Sequence, residues 1–395
     1  MANGRRVDRT GIWKSVLSLV ILAVPFLGCG NQSEDLLPPG ISELTNLAIV
    51  ETDTEPLYHL KLEQNLSINQ LDEPYIQLLY AIMTDDDGNI YWQDNQVTKL
   101  HQYSPEGEHI RSFGGEGRGP GEFEYLESSS ISGDAVIMLD LFSQLVHVFN
   151  RHTGDLMQSG TLERENEMAV FAPIHQVLAE TDTTFIGIPQ YSTRIEQDSI
   201  SLHRYTISGR WMDDRLIRYP AGDALESSSG GVSRRSPTSF TAKSEIALLP
   251  GGGFVHSYAA EPIFYIYDMN GDLRQSIYLE TEPVKLTGEH IDRLIEKSHP
   301  MIDLASAVRD ADSVPDFWPF WNDFLTDDNG HLWIEININP PDEREWWVVS
   351  QDGDLLAKTQ FSDKGTLWLV GKDDLYFNYY EEGIYELKRY RLRME

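Results

Sequence analysis

The sequence predicts an all-β fold: a six-bladed β-propeller closed by an N-terminal strand, with a small helical insertion at about 283–316. Three observations carry this prediction. A strand–turn–strand unit recurs along the chain, a second hairpin precedes most copies, and the last repeat is one strand short. The recurring unit reads Leu100-His-Gln-Tyr103 with Gly107, Val146-His-Val-Phe149 with Gly154, and Leu202-His-Arg-Tyr205 with Gly209. It returns as Phe264-Tyr-Ile-Tyr267 with Gly271 and as Trp346-Trp-Val-Val349 with Gly353. Period-two alternation punctuated by Asp, Asn or Ser with Gly is a hairpin signal.

The preceding hairpin is clearest in Ala81-Ile-Met-Thr-Asp85-Asp-Asp-Gly88-Asn-Ile-Tyr-Trp92, which matches Phe324-Leu-Thr-Asp327-Asp-Asn-Gly330-His-Leu-Trp333. A looser copy runs from Ile246 to His256. Two hairpins in succession make a four-stranded meander, the unit of a propeller blade. Counting places blades at about 77–114, 126–163, 171–220, 238–280, 317–362 and 364–395. The sixth supplies only three strands, around Leu367, Leu375 and Tyr385. Leu57-Tyr-His-Leu-Lys-Leu62 is the expected fourth, because a strand from the other end of the chain seals an otherwise open edge.

Two segments fall outside the meander. In residues 283–316, Ile291, Leu294 and Ile295 share one helical face after the N-cap candidate Thr287, predicting a helical pair between blades four and five. Residues 221–237 are Ser/Gly-rich around the doublet Arg234-Arg235 and read as a long loop.

The first 28 residues read as an export signal, with Arg5, Arg6, Arg9 and Lys14 ahead of an apolar run from Ser15 to Gly28. That run is short for a spanning helix, which needs about 20 apolar residues. It ends Phe26-Leu27-Gly28-Cys29-Gly30. This resembles the lipobox of bacterial lipoproteins, with Phe26 in place of the usual Leu, and the resemblance implies acylation of Cys29. An ordinary signal peptide with a chance cysteine, or a retained signal anchor, are the alternatives. The chain has one cysteine, so no internal disulfide can form, and its position at the end of the apolar run favours modification. Residues 29–45 then form a tether, and residues 46–395 the propeller. Gly30 lacks the Asp that retains some lipoproteins at the inner membrane, so the expected address is the outer membrane, periplasm or cell surface.

Four basic residues and one acidic residue leave with the first 28, deepening the net charge from −32 to −35. Such a surface repels phosphate backbones and anionic headgroups, which argues against nucleic acid and leaves the lipid anchor as the membrane contact.

The stretch Phe113-Gly-Gly-Glu-Gly-Arg-Gly-Pro-Gly-Glu-Phe123 resembles the NHL-type six-bladed propellers. It is closer still to the six-bladed β-propeller lipoproteins and secreted proteins of Bacteroidetes-like bacteria. That resemblance supports fold and compartment and implies no chemistry, because the family's function is largely undefined. Physically, the glycines carry the chain from the outer edge of one blade to the inner strand of the next. No helix and no Lys-Ser/Thr follows, as a phosphate loop requires. Arg118 and Glu122 are its polar members, placed to face a partner or to brace the loop.

Several six-bladed propellers are hydrolases or lactonases with calcium held in the channel by Asp, Asn and Glu of inner strands. Asn322 and Asp323 sit where such a strand should run, but a calcium site needs about 6–8 converging oxygens. The acidic turns at Asp85–Gly88 and Asp327–Gly330 lack the spacing of a calcium loop and read as hairpin turns. His175 and His256 are weak zinc candidates against the more common buried structural histidine. Trp318 and Trp321, beside Pro315 and Pro319, are expected either to pack blade on blade or to line a sugar or peptide site. No nucleophile elbow or cofactor motif is visible. The leading expectation is therefore a binding scaffold for a protein, peptide or glycan. The alternative is a metal-dependent hydrolase, lactonase or lyase with its site in the channel and calcium as its cofactor.

Overall fold

The computed structural model describes residues 38, 40–163, 173–190, 199–212, 215–229, 232–298, 303–341, 343–361 and 365–395, without the side chains of 228, 229 and 232–234. Cys29, the export signal and most of the tether lie outside the described residues. From residue 43 onward the chain forms six antiparallel meanders, as the repeat predicts. Their first strands are Ala81–Thr84, Leu126–Ser132, Ile174–Ala179, Ser244–Leu248, Trp321–Thr326 and Gly365–Val370. First strands of neighbouring blades touch at the seams one–two, two–three, four–five, five–six and six–one, which makes them the inner ring.

Each seam has its own apolar core. Blades one and two meet through Tyr91, Phe113, Val136 and Met138. Blades two and three meet through Ile137, Leu139, Val177 and Phe185. Alternate residues of one strand thus serve opposite seams, as the two-residue period of a strand requires. This explains why second strands such as Ile90–Asp94 and Ala135–Asp140 are buried at every position: both faces of the sheet are covered. Four further cores join the remaining seams, the last of them placing Ile68, Trp92, Tyr376 and Leu387 between blades six and one.

Ring closure differs from the expectation in its position and extent. The closing strand is Leu60–Asn69, not Leu57–Leu62, and it pairs antiparallel with Ile384–Met394. A bulge between Gln64 and Leu66 shifts the phase of its alternation. Leu60 and Leu62 therefore pack into the core between blades five and six, while Leu66 and Ile68 enter the core between blades six and one. Upstream, Leu57 and Tyr58 donate backbone hydrogen bonds to the carbonyls of Leu355 and Leu356 in blade five's outer strand. Further upstream, Leu47–Glu51 adds a fifth, parallel strand to blade four beside Leu273–Glu280. The N-terminal segment thus straps the outer edges of three consecutive blades.

The antiparallel order places two kinds of connection at one end of the ring: those between blades, and those between second and third strands. We term this the connector face, and the opposite end the turn face. Two insertions rise from the connector face. The segment 221–237, read from sequence as a loop, contains a hairpin of Leu225–Ser229 and Val232–Ser236. The predicted helical pair is present as Gly288–Lys297, N-capped by Thr287, whose own amide donates to His290 Nδ1, and Leu304–Asp310, N-capped by Asp303. Leu225, Phe240, Leu286, Leu304 and Trp318 join Ile291, Leu294 and Ile295 in a seventh core. Hairpin and helices therefore form one small cap.

Candidate functional site

The connector-face mouth of the inner ring is built by a repeated irregularity. First strands of blades two, three and five each carry a bulge at the same register, five residues before the residue that opens the turn, leaving Glu127, His175 and Asn322 unpaired with the second strand. Blade one places Tyr80 there, its amide donating to the Gln93 carbonyl that also faces Ala81. Bulges re-aim side chains, and the sequence leads to the expectation of channel-facing groups on this ring.

Of the residues singled out from sequence, Asn322 donates its amide to Glu335, which also pairs with Arg344 at 3.3 Å. Asp323 lies instead beside Glu245 of blade four. Burial, and then the Asp323 carboxylate, raise the pKa of Glu245, and Lys243 opposes both. Asn322 and Asp323 therefore diverge into separate networks. Among the described residues, no group of three or more His, Cys, Asp or Glu is placed to hold a metal ion.

His175 bonds the Ile188 carbonyl through Nδ1 at 3.1 Å, and His256 packs between Tyr219 and Tyr265. Burial lowers the pKa of both, His256 to about 4, and they lie in blades three and four. Trp321 is fully buried against Phe264 and Phe324 with its indole N–H on Ser257, and Trp318 is buried under the cap with its N–H on His290. Both are packing residues rather than surface ligands. The acidic turns follow one scheme. Asp85 accepts from the amides of Asp87 and Asn89, and Asp327 from those of Asn329 and His331. The second oxygens take Tyr91 and Trp333 respectively.

The glycine stretch 113–123 lies on the connector face between blades one and two. Gly114 adopts φ +81°, and Gly117 leaves the space that Glu122 occupies, since a methyl there would stand 2.0 Å from the carboxylate. Glu122 accepts the Gly119 amide at 2.8 Å and so braces the loop, while Arg118, 82 % exposed, pairs with Glu124. Arg235 pairs across the cap hairpin with Glu226 at 3.3 Å, and the Arg234 side chain lies outside the described residues.

This architecture is shared with proteins of Bacteroides. A Bacteroides fragilis protein whose name marks it as exported superposes with a TM-score of 0.52 at 11 % identity, over 88 % of this chain and 99 % of that one. A member of the DUF4221 family from Bacteroides vulgatus gives 0.52 at 10 % identity, over 86 % and 100 %. At these identities the likeness is one of fold. No family model matches the sequence, and no curated protein matches it. Among the described residues, no helix is long and apolar enough to cross a membrane.

The surface the sequence did not single out is aromatic. Among the described residues, Tyr75, Tyr80, Phe142, Phe317 and Tyr380 are exposed on the connector face together with Leu71 and Ile338, whereas Ile110, Met157 and Met212 are exposed on the turn face. Carboxylates stand among these rings, including Glu127 beside Tyr80 and Glu381 and Glu382 beside Tyr380.

Proposed function

We propose that this chain is an exported scaffold, tethered through Cys29, that holds a protein, peptide or glycan partner on its connector face. The observation that carries the reading is the gathering of exposed aromatic side chains on that one face. Exposed apolar side chains collected in one region are a mark of interaction sites, and tyrosine and tryptophan are enriched in them because one end is apolar and the other wet. A rigid ring of six separately cored seams supports such a platform, and the cap rises from the same face. The lipobox-like ending at Cys29, and the export named for the Bacteroides fragilis structural neighbour, support the compartment.

The anchor is tested by Cys29→Ala, expressed with its own signal. The expected result is loss of palmitate labelling and transfer of the protein from the membrane to a soluble exported fraction. Unchanged labelling and membrane association in the variant would refute the anchor.

A further inference from the structure

The closing strand carries its bulge where the last blade meets the first. Asn65 is the bulged residue, between Gln64 and Leu66. Bulges re-aim side chains, and this one directs Asn65 onto two residues of blade six. Its Oδ1 accepts from Arg389 Nε at 2.9 Å, and its Nδ2 donates to Asp374 Oδ1 at 3.4 Å. The same Asp374 oxygen accepts from Arg391 Nε at 3.1 Å. Arg389 and Arg391 stand two positions apart on one strand and so share a face, opposite Tyr376 and Asp374 in register. A guanidinium held through Nε keeps its two Nη groups for a planar anion.

These residues line one wall of a cleft of about 510 Å³ on the turn face. Blade one supplies the other wall, through the turns that carry Asp87 and Glu106. The charges of the two walls are satisfied unequally. Asp87 pairs with Arg151 at 3.1 Å, and Arg391 pairs with Asp374. Arg389 has the neutral Asn65 as its partner, and Glu106 the neutral Ser104 hydroxyl at 3.0 Å; among the described residues, no carboxylate pairs with the first and no cation with the second. The cleft therefore offers one uncompensated cation on the blade-six wall and one uncompensated anion on the blade-one wall. Its volume is that of a small-molecule site. A simple anion would have to enter against a net charge of −32, whereas a zwitterion enters without net repulsion and satisfies both walls.

We propose that this cleft binds a small zwitterion by its two charged ends, the carboxylate on Arg389 and the ammonium on Glu106, with Asn65 positioning the guanidinium. Two sources share that chemistry: a free amino acid and a short peptide. The site lies on the face opposite the proposed partner surface and stands independently of it.

Calorimetric titration of the full-length protein with alanine, dialanine and trialanine tests it, followed by the N-acetylated and C-amidated forms of whichever binds most tightly. The expected result is saturable binding of at least one of the three. Each blocked form, and each of the variants Arg389→Gln and Glu106→Gln, should bind about tenfold more weakly, through loss of one charge-assisted contact. Preference for alanine assigns a free amino acid, and preference for either longer probe assigns a peptide. Failure of all three to bind overturns the proposal, as does equal binding of a blocked form or an unaffected Arg389→Gln variant. Should a variant fail to fold, the comparison of free and blocked probes on the native protein decides alone.

Discussion

A chain that begins at Gln70 is expected to lose cooperative folding. It lacks Leu60–Asn69, so blade six has three strands, and the eleven residues Ile384–Met394 present an open edge. Unpaired edges of that length template association. Two cores are opened at once, because Leu60 and Leu62 leave one seam while Leu66 and Ile68 leave the next. The strap across blades four and five goes with them. Thermal unfolding by circular dichroism, with size-exclusion chromatography, should show aggregation and no sharp transition, whereas a chain beginning at Ile41 should melt cooperatively as a monomer. A milder lesion, Ile68→Ala, should cost about 2–5 kcal/mol as a buried large-to-small change. A cooperative melt within a few degrees of the native protein for the Gln70 chain would show that closure does not need the strand.

Arg151→Met is expected to destabilise the protein by about 3–5 kcal/mol in urea unfolding at neutral pH. Arg151 sits in blade two, with its side chain 9 % exposed, and joins Asp85 of blade one at 2.6 Å and Asp87 at 3.1 Å. The Asp85 side chain is 2 % exposed. Burial pushes its pKa up, but bonds from Asn89, Tyr91 and Arg151 more than offset this and hold it below the usual carboxylate range. In the native protein this contribution is present above the unfolded carboxylate pKa and is lost as pH falls through the folded one. Without the cation the Asp85 pKa rises, so protonation relieves the buried charge and the penalty should shrink toward about pH 4. The double variant Arg151→Met, Asp85→Asn should recover part of the loss. A single variant as stable as the native protein would mean that the pair does not hold the seam.

The blades were legible because each is a local meander, with alternation, turn glycines and repeat all visible within about forty residues of sequence. The turn aspartates were legible for the same reason, since Asp85 and Asp327 bond donors two to six residues downstream. The closing strand was misplaced because its bulge at Asn65 shifts the apolar phase, so Leu60–Ile68 does not read as one alternating run. The cap hairpin is not legible because its strands, Leu225–Ser229 and Val232–Ser236, are Ser- and Arg-rich with one apolar residue each and show no apolar alternation, and Leu225 is the apolar side chain that enters the cap core. Asn322 was found on blade five by its likeness to an inner strand. Its counterparts Glu127 and His175 belong to the same register, but bulges leave little compositional trace. A usable signal exists in the turns: the bulged position lies five residues before the residue that opens the first turn, Glu180 after His175 and Asp327 after Asn322. The same count back from Ser132 gives Glu127.

The central claim, that the connector face is the working surface, is tested most directly by site-specific photocrosslinking in intact producing cells. Benzoylphenylalanine would replace Phe142 and Tyr380 on the connector face, and Met157 and Met212 on the turn face, one position at a time. The account predicts that the two connector-face positions yield adducts with the same partner and that the two turn-face positions do not. Adducts from Met157 and Met212, with none from Phe142 and Tyr380, would contradict it.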